Sequence, residues 1–326
     1  MAATVKIFKY GGPEEFVFEA SEPVEPQKDE VLLRHKAIGL NFIDIYHRKG
    51  LYPLSDLPAV IGMEGSGIVE MVGQGVKAFS PGDRVGYAGA TPGAYSTYRT
   101  IAADRLVPLP DTLSYQTAAA IMLKGMTVRY LLFGCYSVSK GDIVLIHAAA
   151  GGVGTIFCQW AAYLGALVIG TVGTSEKAEI ARKNGCHYPV VYSKENFVDR
   201  VMEITSGKGV DVVYDSVGQT TFEKSLDCLR PLGTMVSFGQ SSGPVAPFDL
   251  AVLGAKGSLF LTRPSLMTYT AKRDDLLAHA GDLFDVVQSK VVKAPAPKTY
   301  FLSQVAKAHY DLESRATSGS VILLPD

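Results

Sequence analysis

The residues of plainest chemical meaning in this chain are the glycines that follow an apolar run. The stretch reads Ile143-Val-Leu-Ile-His147-Ala-Ala-Ala-Gly151-Gly152-Val153-Gly154. Its spacing is that of a dinucleotide fingerprint, Gly-x-Gly-x-x-Gly between a strand and a helix, with Ala149 in the first glycine place. Gly151 lets the backbone approach a pyrophosphate, and Gly154 lets the helix pack closely on the strand. Gly152 and Val153 open the helix, where unpaired N–H groups attract an anion.

A second reading rests on a residue type that is missing. Enzymes for NAD place an Asp or Glu about 20 residues further on, against the ribose 2′-hydroxyl. That position falls here on Gly173, in Thr171-Val-Gly173-Thr-Ser175-Glu-Lys177. No carboxylate ends the strand, and Ser175 and Lys177 follow at once. Both can donate to a 2′-phosphate, and charge-assisted bonds to phosphate are strong. NADPH is therefore expected over NADH. Ser175 is also expected to cap the helix that begins there.

These residues need a scaffold. Apolar runs at 143–147, 167–172, 188–191, 210–215, 234–238 and 258–261 read as buried strands. Helical stretches at 153–164, 175–184, 194–205 and 221–229 alternate with them. That order predicts a doubly wound, mostly parallel α/β sheet of Rossmann type. Before residue 114 the pattern differs. Short, partly alternating runs at 5–10, 16–20, 30–38, 65–72 and 84–87 are punctuated by Gly and Pro, which predicts an irregular, barrel-like β domain. A last strand at 321–324 is expected to return to it. The expected division is 1–124 for the barrel-like catalytic domain, 125–264 for the dinucleotide-binding domain and 265–326 for the returning tail.

Bulk composition narrows the classes. The chain has 326 residues, enough for two domains, and 47% of them are hydrophobic. Its 31 basic and 32 acidic residues give a net charge of −1, so neither nucleic acid nor an anionic membrane surface is an expected partner. The stretch 143–175 has no Asp, Glu, Lys or Arg, but glycines break it and a buried strand–turn–helix–strand explains it better than a membrane span. Cys135, Cys158, Cys186 and Cys228 show neither a zinc-ligand spacing nor a disulfide pattern. The start has no signal-peptide pattern, and a cytoplasmic location is expected. His35, His47 and His147 are isolated. Core or surface roles suit them, with His147 a hydrogen-bonded core residue on the first buried strand.

Four stretches carry a family resemblance along essentially the whole chain: Asn41-Phe-Ile-Asp44-Ile-Tyr46, Pro58-Ala-Val-Ile-Gly62-Met-Glu64-Gly-Ser-Gly67, Gly82-Asp-Arg-Val85, and Gly141-Asp142 through Gly154 to Gln159. With them the sequence resembles the zinc-free quinone oxidoreductases, the zeta-crystallin-like group of the medium-chain dehydrogenase/reductase superfamily. The resemblance implies a GroES-like catalytic domain beside the Rossmann domain and reduction of quinones by NADPH. It implies further cofactor contacts at Asn41, Thr127, Tyr192, Phe238, Gly239, Ser241 and Arg315. Zinc-dependent relatives carry Gly-His-Glu where this chain has Gly62-Met63-Glu64, so no metal is expected, and Glu64 is left with a structural role.

A quinone needs hydride at one face and protons at its oxygens. An apolar slot with a few hydroxyl or amide donors suffices, and Asn41, Tyr46 and Tyr52 offer them in a loop that the resemblance sets over the substrate. No acid–base residue stands out. One rival reaction is reduction of an enone or enoyl C=C bond on the same fold. A rival of another class is an NADPH-binding structural or RNA-binding protein, as among the crystallin relatives. A homodimer is expected from the resemblance, with late strands of the cofactor domain pairing.

Overall fold

A computed structural model gives the structure of residues 2–294 and 296–326, and the chain falls into two units. The first unit holds the residues up to Met126, then Tyr269–Asp285 and those from Ala294 on. The second holds Thr127–Thr268 and Val286–Lys293.

In the second unit, β-branched and leucine-rich runs become strands, the central ones buried on both faces. Among the described residues six strands lie in the order Tyr188–Val191, Leu167–Val172, Ile143–Ile146, Val210–Asp215, Leu229–Ser237, Phe260–Thr262, all parallel. Numbered along the chain, that is the 3-2-1-4-5-6 order of a doubly wound dinucleotide fold. The strand that comes first along the chain, Ile143–Ile146, sits mid-sheet, so its carboxyl end opens where the strand order reverses, the place where such sheets bind ligands. Helices Gly152–Tyr163, Ser175–Lys183 and Phe197–Ile204 follow the first three strands. Leu145, Ile169, Val190, Val201, Val213 and Met235 join in one core cluster. The fifth strand begins at Leu229, earlier than its apolar run indicated, with a shift in register against its neighbour between Val210 and Val212.

The first unit is mainly antiparallel. Its largest sheet runs Lys298–Phe301, Val321–Leu324, Glu30–Leu40, Glu64–Val72, Arg84–Ala88, Val107–Pro108, with Tyr98–Ala102 also on Glu30–Leu40. The terminal strand pairs antiparallel with Glu30–Leu40, Val321 opposite Leu40 and Leu323 opposite Ile38. Inward residues Val31, Leu33, Ile38, Val69, Val85 and Leu323 share one core with Val5 and Ile7 of a smaller sheet. Residues 286–293, expected with the returning tail, group instead with the second unit. The cause is a two-way clamp: the Lys293 N–H donates to Gln159 Oε1 at 2.8 Å, and Gln159 Nε2 donates to the Lys293 carbonyl at 3.3 Å.

The helix-rich stretch Tyr115–Cys135 is long and apolar enough to cross a membrane, but its apolar part is mostly buried inside the protein. Among the described residues it is the one such stretch, and it behaves as a core helix. The charge-free run 143–175 forms the strand, turn, helix and strand described above.

Candidate functional site

The glycine turn is built from the first parallel strand upward. Past Ile146 the chain keeps to the sheet for one residue, the His147 N–H donating to the Tyr214 carbonyl at 3.0 Å. Ala148 then takes φ +57°, an uncommon left-handed conformation for a residue with a side chain. This tight turn returns the Gly151 N–H to the Ala148 carbonyl at 2.9 Å. The helix starts at Gly152, so the N–H groups of Gly152, Val153 and Gly154 have no acceptor within the helix. A Cβ on Gly154 would lie 2.4 Å from the Ala148 carbonyl oxygen and 2.7 Å from the Ala149 backbone. Only glycine permits that approach.

At the end of the second strand the structure changes one expectation and adds a residue. The helix cap is Thr174, not Ser175: its hydroxyl accepts the Lys177 N–H at 3.3 Å. Ser175 is the first helical residue, and its hydroxyl faces sideways, accepting from Lys194 Nζ at 2.8 Å. Lys194 escaped the sequence reading because it lies 19 residues on, after the third strand. Parallel pairing of Val172 with Val191 brings the two strand ends together. Tyr192 follows that strand, half-exposed at 47%, and its hydroxyl would lie 2.9 Å from a Cβ on Gly173. The Ser193 hydroxyl donates to the Gly173 carbonyl at 3.0 Å. Ser175, Tyr192 and Lys194 thus gather at this strand end, and Lys177 follows in the first turn of the helix. Glu176 turns its carboxylate back on the helix start, where its own N–H and the Thr174 hydroxyl hold its pKa below the usual value, with Lys194 adding a smaller effect.

Further along the crevice, the carboxylate Asp215 ends the fourth strand and accepts from the N–H groups of Val217 at 2.7 Å and Gly218 at 3.1 Å, and from the Thr221 hydroxyl. Phe238 and Gly239 lie just past the fifth strand, both N–H groups on the Asp215 carbonyl. Arg263, unflagged by the sequence, donates to the carbonyls of Ser237 and Gly239, each at 2.9 Å. A Cβ on Gly239 would meet the Ser216 carbonyl at 2.6 Å. Ser241 is tied back by its N–H to the Ser216 carbonyl, and Thr127 is buried. His147 is a hydrogen-bonded core residue, bridging Thr171 and Ser225 at 2.8 Å each.

The first unit holds the other candidates. Asn41 precedes the short helix Phe42–Arg48, and its N–H donates to Asp44 Oδ2 at 2.8 Å. Tyr46 is buried and meets Tyr52 edge to face, ring centroids 5.2 Å apart. Beneath them lies a buried polar network. Tyr95 donates to Asp44 Oδ2 at 3.1 Å and meets His309 Nε2 at 2.8 Å. Arg48 donates to His309 Nδ1 at 3.0 Å and pairs with Glu313. Burial lifts the Asp44 carboxyl to about 7 and, with Arg48 alongside, drops His309 well below the usual imidazole value. The strand Glu64–Val72 sets Glu64 on Asn41, whose Nδ2 donates to Glu64 Oε2 at 2.8 Å. Arg315 sits in this unit, exposed, at φ +59° after the helix Val305–Glu313.

The second unit brings together a turn in which Gly154 leaves no room for a side chain, N–H donors at a helix start, and Lys194 with the Ser175 and Tyr192 hydroxyls at the second strand's end. Met63 is buried, and among the described residues no group of three or more His, Cys, Asp or Glu is placed to hold a metal.

Comparison with known proteins gives a consistent result. Residues 27–111 match the alcohol dehydrogenase GroES-like domain, and residues 152–273 match the zinc-binding dehydrogenase family. The chain is 47% identical over 325 residues to a quinone oxidoreductase of Pseudomonas aeruginosa, covering 100% of both chains. It is 47% identical to a 2-haloacrylate reductase of a Burkholderia species, covering 100% of this chain and 99% of that one. Among solved structures it is similar to Escherichia coli quinone oxidoreductase complexed with NADPH, with TM-score 0.98, 48% identity, and coverage of 99% of this chain and 100% of that one.

Proposed function

We propose, from the premise that the chain belongs to the quinone oxidoreductase family of the medium-chain dehydrogenases/reductases, that it reduces quinones by hydride transfer from NADPH. When bound, NADPH supplies the hydride. The protein binds, orients and excludes water. The observation that carries the cofactor choice is the reach of Lys194 Nζ to Ser175 Oγ, 2.8 Å, at a strand end where Gly173 stands in place of an acidic residue. Lys177, Lys194, Ser175 and Tyr192 are assigned to the 2′-phosphate, Gly151, Gly152, Val153 and Gly154 to the pyrophosphate. Thr127, Phe238, Gly239, Ser241, Asn41 and Arg315 are assigned as further cofactor contacts.

Quinone binding is assigned to Tyr46 and Tyr52, with Asn41. A flat conjugated ring stacks on an aromatic face, and tyrosine hydroxyls donate to oxygens as negative charge develops. Solvent completes protonation of the hydroquinone, so no metal step is needed. A second reading, hydride delivery to the C=C bond of an unsaturated acid or ketone, is favoured by the 47% identity to 2-haloacrylate reductase.

A homodimer and a cytoplasmic location belong to the same proposal. The edge strand Phe260–Thr262 leaves Phe260 61% exposed, and unpaired edges invite a second copy. Among the described residues no cysteine is joined in a disulfide, which suits a reducing compartment. The test follows loss of reduced-cofactor absorbance with NADPH and NADH against quinones, enones and unsaturated acids. Quinone turnover faster with NADPH is the expected result. Turnover confined to C=C substrates moves the reaction to the second reading, and preference for NADH overturns the assignment around Gly173.

A further inference from the structure

The Glu64 carboxylate is fully buried, as is nearly all of Asn41 (5% exposed) and Lys124 (6%). Three donors converge on it. Asn41 Nδ2 reaches Oε2 at 2.8 Å, the Leu123 N–H reaches Oε1 at 2.7 Å, and Lys124 Nζ stands 3.6 Å from Oε2. Lys124 Nζ has no hydrogen-bond partner among the described residues, and its ion pair is with this carboxylate, with a weaker electrostatic influence on Asp44. The seat is tight. A Cβ on Gly39 would lie 2.2 Å from Glu64 Oε2 and 2.4 Å from the Ala119 carbonyl, so only glycine leaves room for the acid there. Burying such a group costs free energy, and replacing a buried ion pair by apolar residues is often neutral or stabilising. Stability alone does not account for it.

An amide side chain has a donor end and an acceptor end. An ionised carboxylate only accepts, so while Glu64 carries its charge, Asn41 can turn only Nδ2 toward it. Burial raises the Glu64 pKa, and Lys124, Asn41 and the Leu123 N–H oppose that rise.

We propose that Glu64 and Lys124 are positioning residues for the reaction, locking the Asn41 amide in one orientation toward the bound ligand. The proposal rests on the assignment of Asn41 as a ligand contact. A glutamine at position 64 breaks the lock without changing shape. Its single acceptor must serve either the Leu123 N–H, which the backbone fixes, or Asn41. Its NH2 then faces the Asn41 amide, and Asn41 must flip or lose its bond.

The test is a double-mutant cycle on the full chain. NADPH-dependent quinone turnover and thermal melting are measured for the wild type, Asn41→Ala, Glu64→Gln and the double variant. Each single change is expected to lower kcat/KM about tenfold, the scale of one charge-assisted hydrogen bond. Glu64→Gln should divide its loss between KM and kcat as Asn41→Ala does. In the Asn41→Ala background Glu64→Gln should cost nothing more. A loss of equal size in that background overturns the inference, because the carboxylate then acts without Asn41. If Asn41→Ala itself leaves kcat/KM unchanged, the assignment of Asn41 fails and the inference fails with it. Should Glu64→Gln not fold, Lys124→Met is carried through the same cycle with the same expectation and the same refutation.

Discussion

Lys194→Ala tests the cofactor assignment most directly, because it removes one charge from a place where nothing else changes. Lys194 is exposed and lies beyond the third strand, its Nζ 2.8 Å from Ser175 Oγ. Two unit charges about 4 Å apart are worth about 1 kcal/mol in water and more where the protein excludes solvent. A 2′-phosphate carries up to about two negative charges. The surroundings are wet, with Tyr192 47% exposed, so the low end of the range applies and the expected loss in NADPH affinity is roughly 10- to 30-fold. NADH has no 2′-phosphate, and its affinity should stay within about twofold of the wild type. Fluorescence titration of both cofactors, at low salt and near 1 M, reads the difference. The NADPH loss should shrink at high salt, where screening acts within about 3 Å. Lys194→Arg should keep most of the affinity. If NADH weakens as much as NADPH, the lysine serves the fold or the shared part of the dinucleotide. If neither weakens, the patch around Gly173 does not hold the phosphate.

Three further outcomes follow from the packing. Gly154→Ala places a methyl 2.4 Å from the Ala148 carbonyl, so the turn must open, and both NADPH and NADH should weaken by more than about tenfold, in contrast to the selective loss in Lys194→Ala. Asp44, lifted by burial to about 7 from 3.8, keeps in the folded chain a proton that the unfolded chain has lost between those values. Its contribution to stability is therefore full below pH 3.8 and is lost as pH rises through about 7. Asp44→Asn should flatten that part of the fall in melting temperature from pH 5 to 8, and an unchanged slope would assign the proton elsewhere. Arg48→Ala should destabilise the first unit by about 3–5 kcal/mol in denaturant unfolding, since it strips a fully buried partner from His309 and Glu313. A loss near that of an exposed ion pair, below about 1 kcal/mol, would contradict the burial.

How much the chain discloses depends on the distance over which a signal acts. The strands at 167–172 and 210–215 are legible because a strand buried on both faces is a continuous apolar run, and the structure has them at Leu167–Val172 and Val210–Asp215. The glycine turn is legible because its steric demand falls on neighbouring residues. The acidic position replaced by Gly173 is legible because the fold sets its spacing from the turn. The short strands Tyr98–Ala102 and Lys298–Phe301 lack such runs. They are strands because Glu30–Leu40 and Val321–Leu324 offer edges to pair with, and no local pattern announces that.

What tertiary structure alone decides is which distant charges meet. Ser175 as a cap is a fair reading of local chemistry, yet Thr174 takes that place and frees Ser175 for Lys194. The pairing of Arg48 with His309 spans 261 positions, and that of Glu64 with Leu123 spans 59. The Gln159 clamp on Lys293 carries residues 286–293 away from the tail they follow in sequence. Backbone conformation and strand burial are set by neighbours within a few residues, so the sequence by itself determined the two kinds of unit, the parallel sheet and the glycine turn. A buried charge can persist only where another part of the chain supplies its partner, so the companions of Ser175, Asn41 and Arg48 were decided by the folded chain.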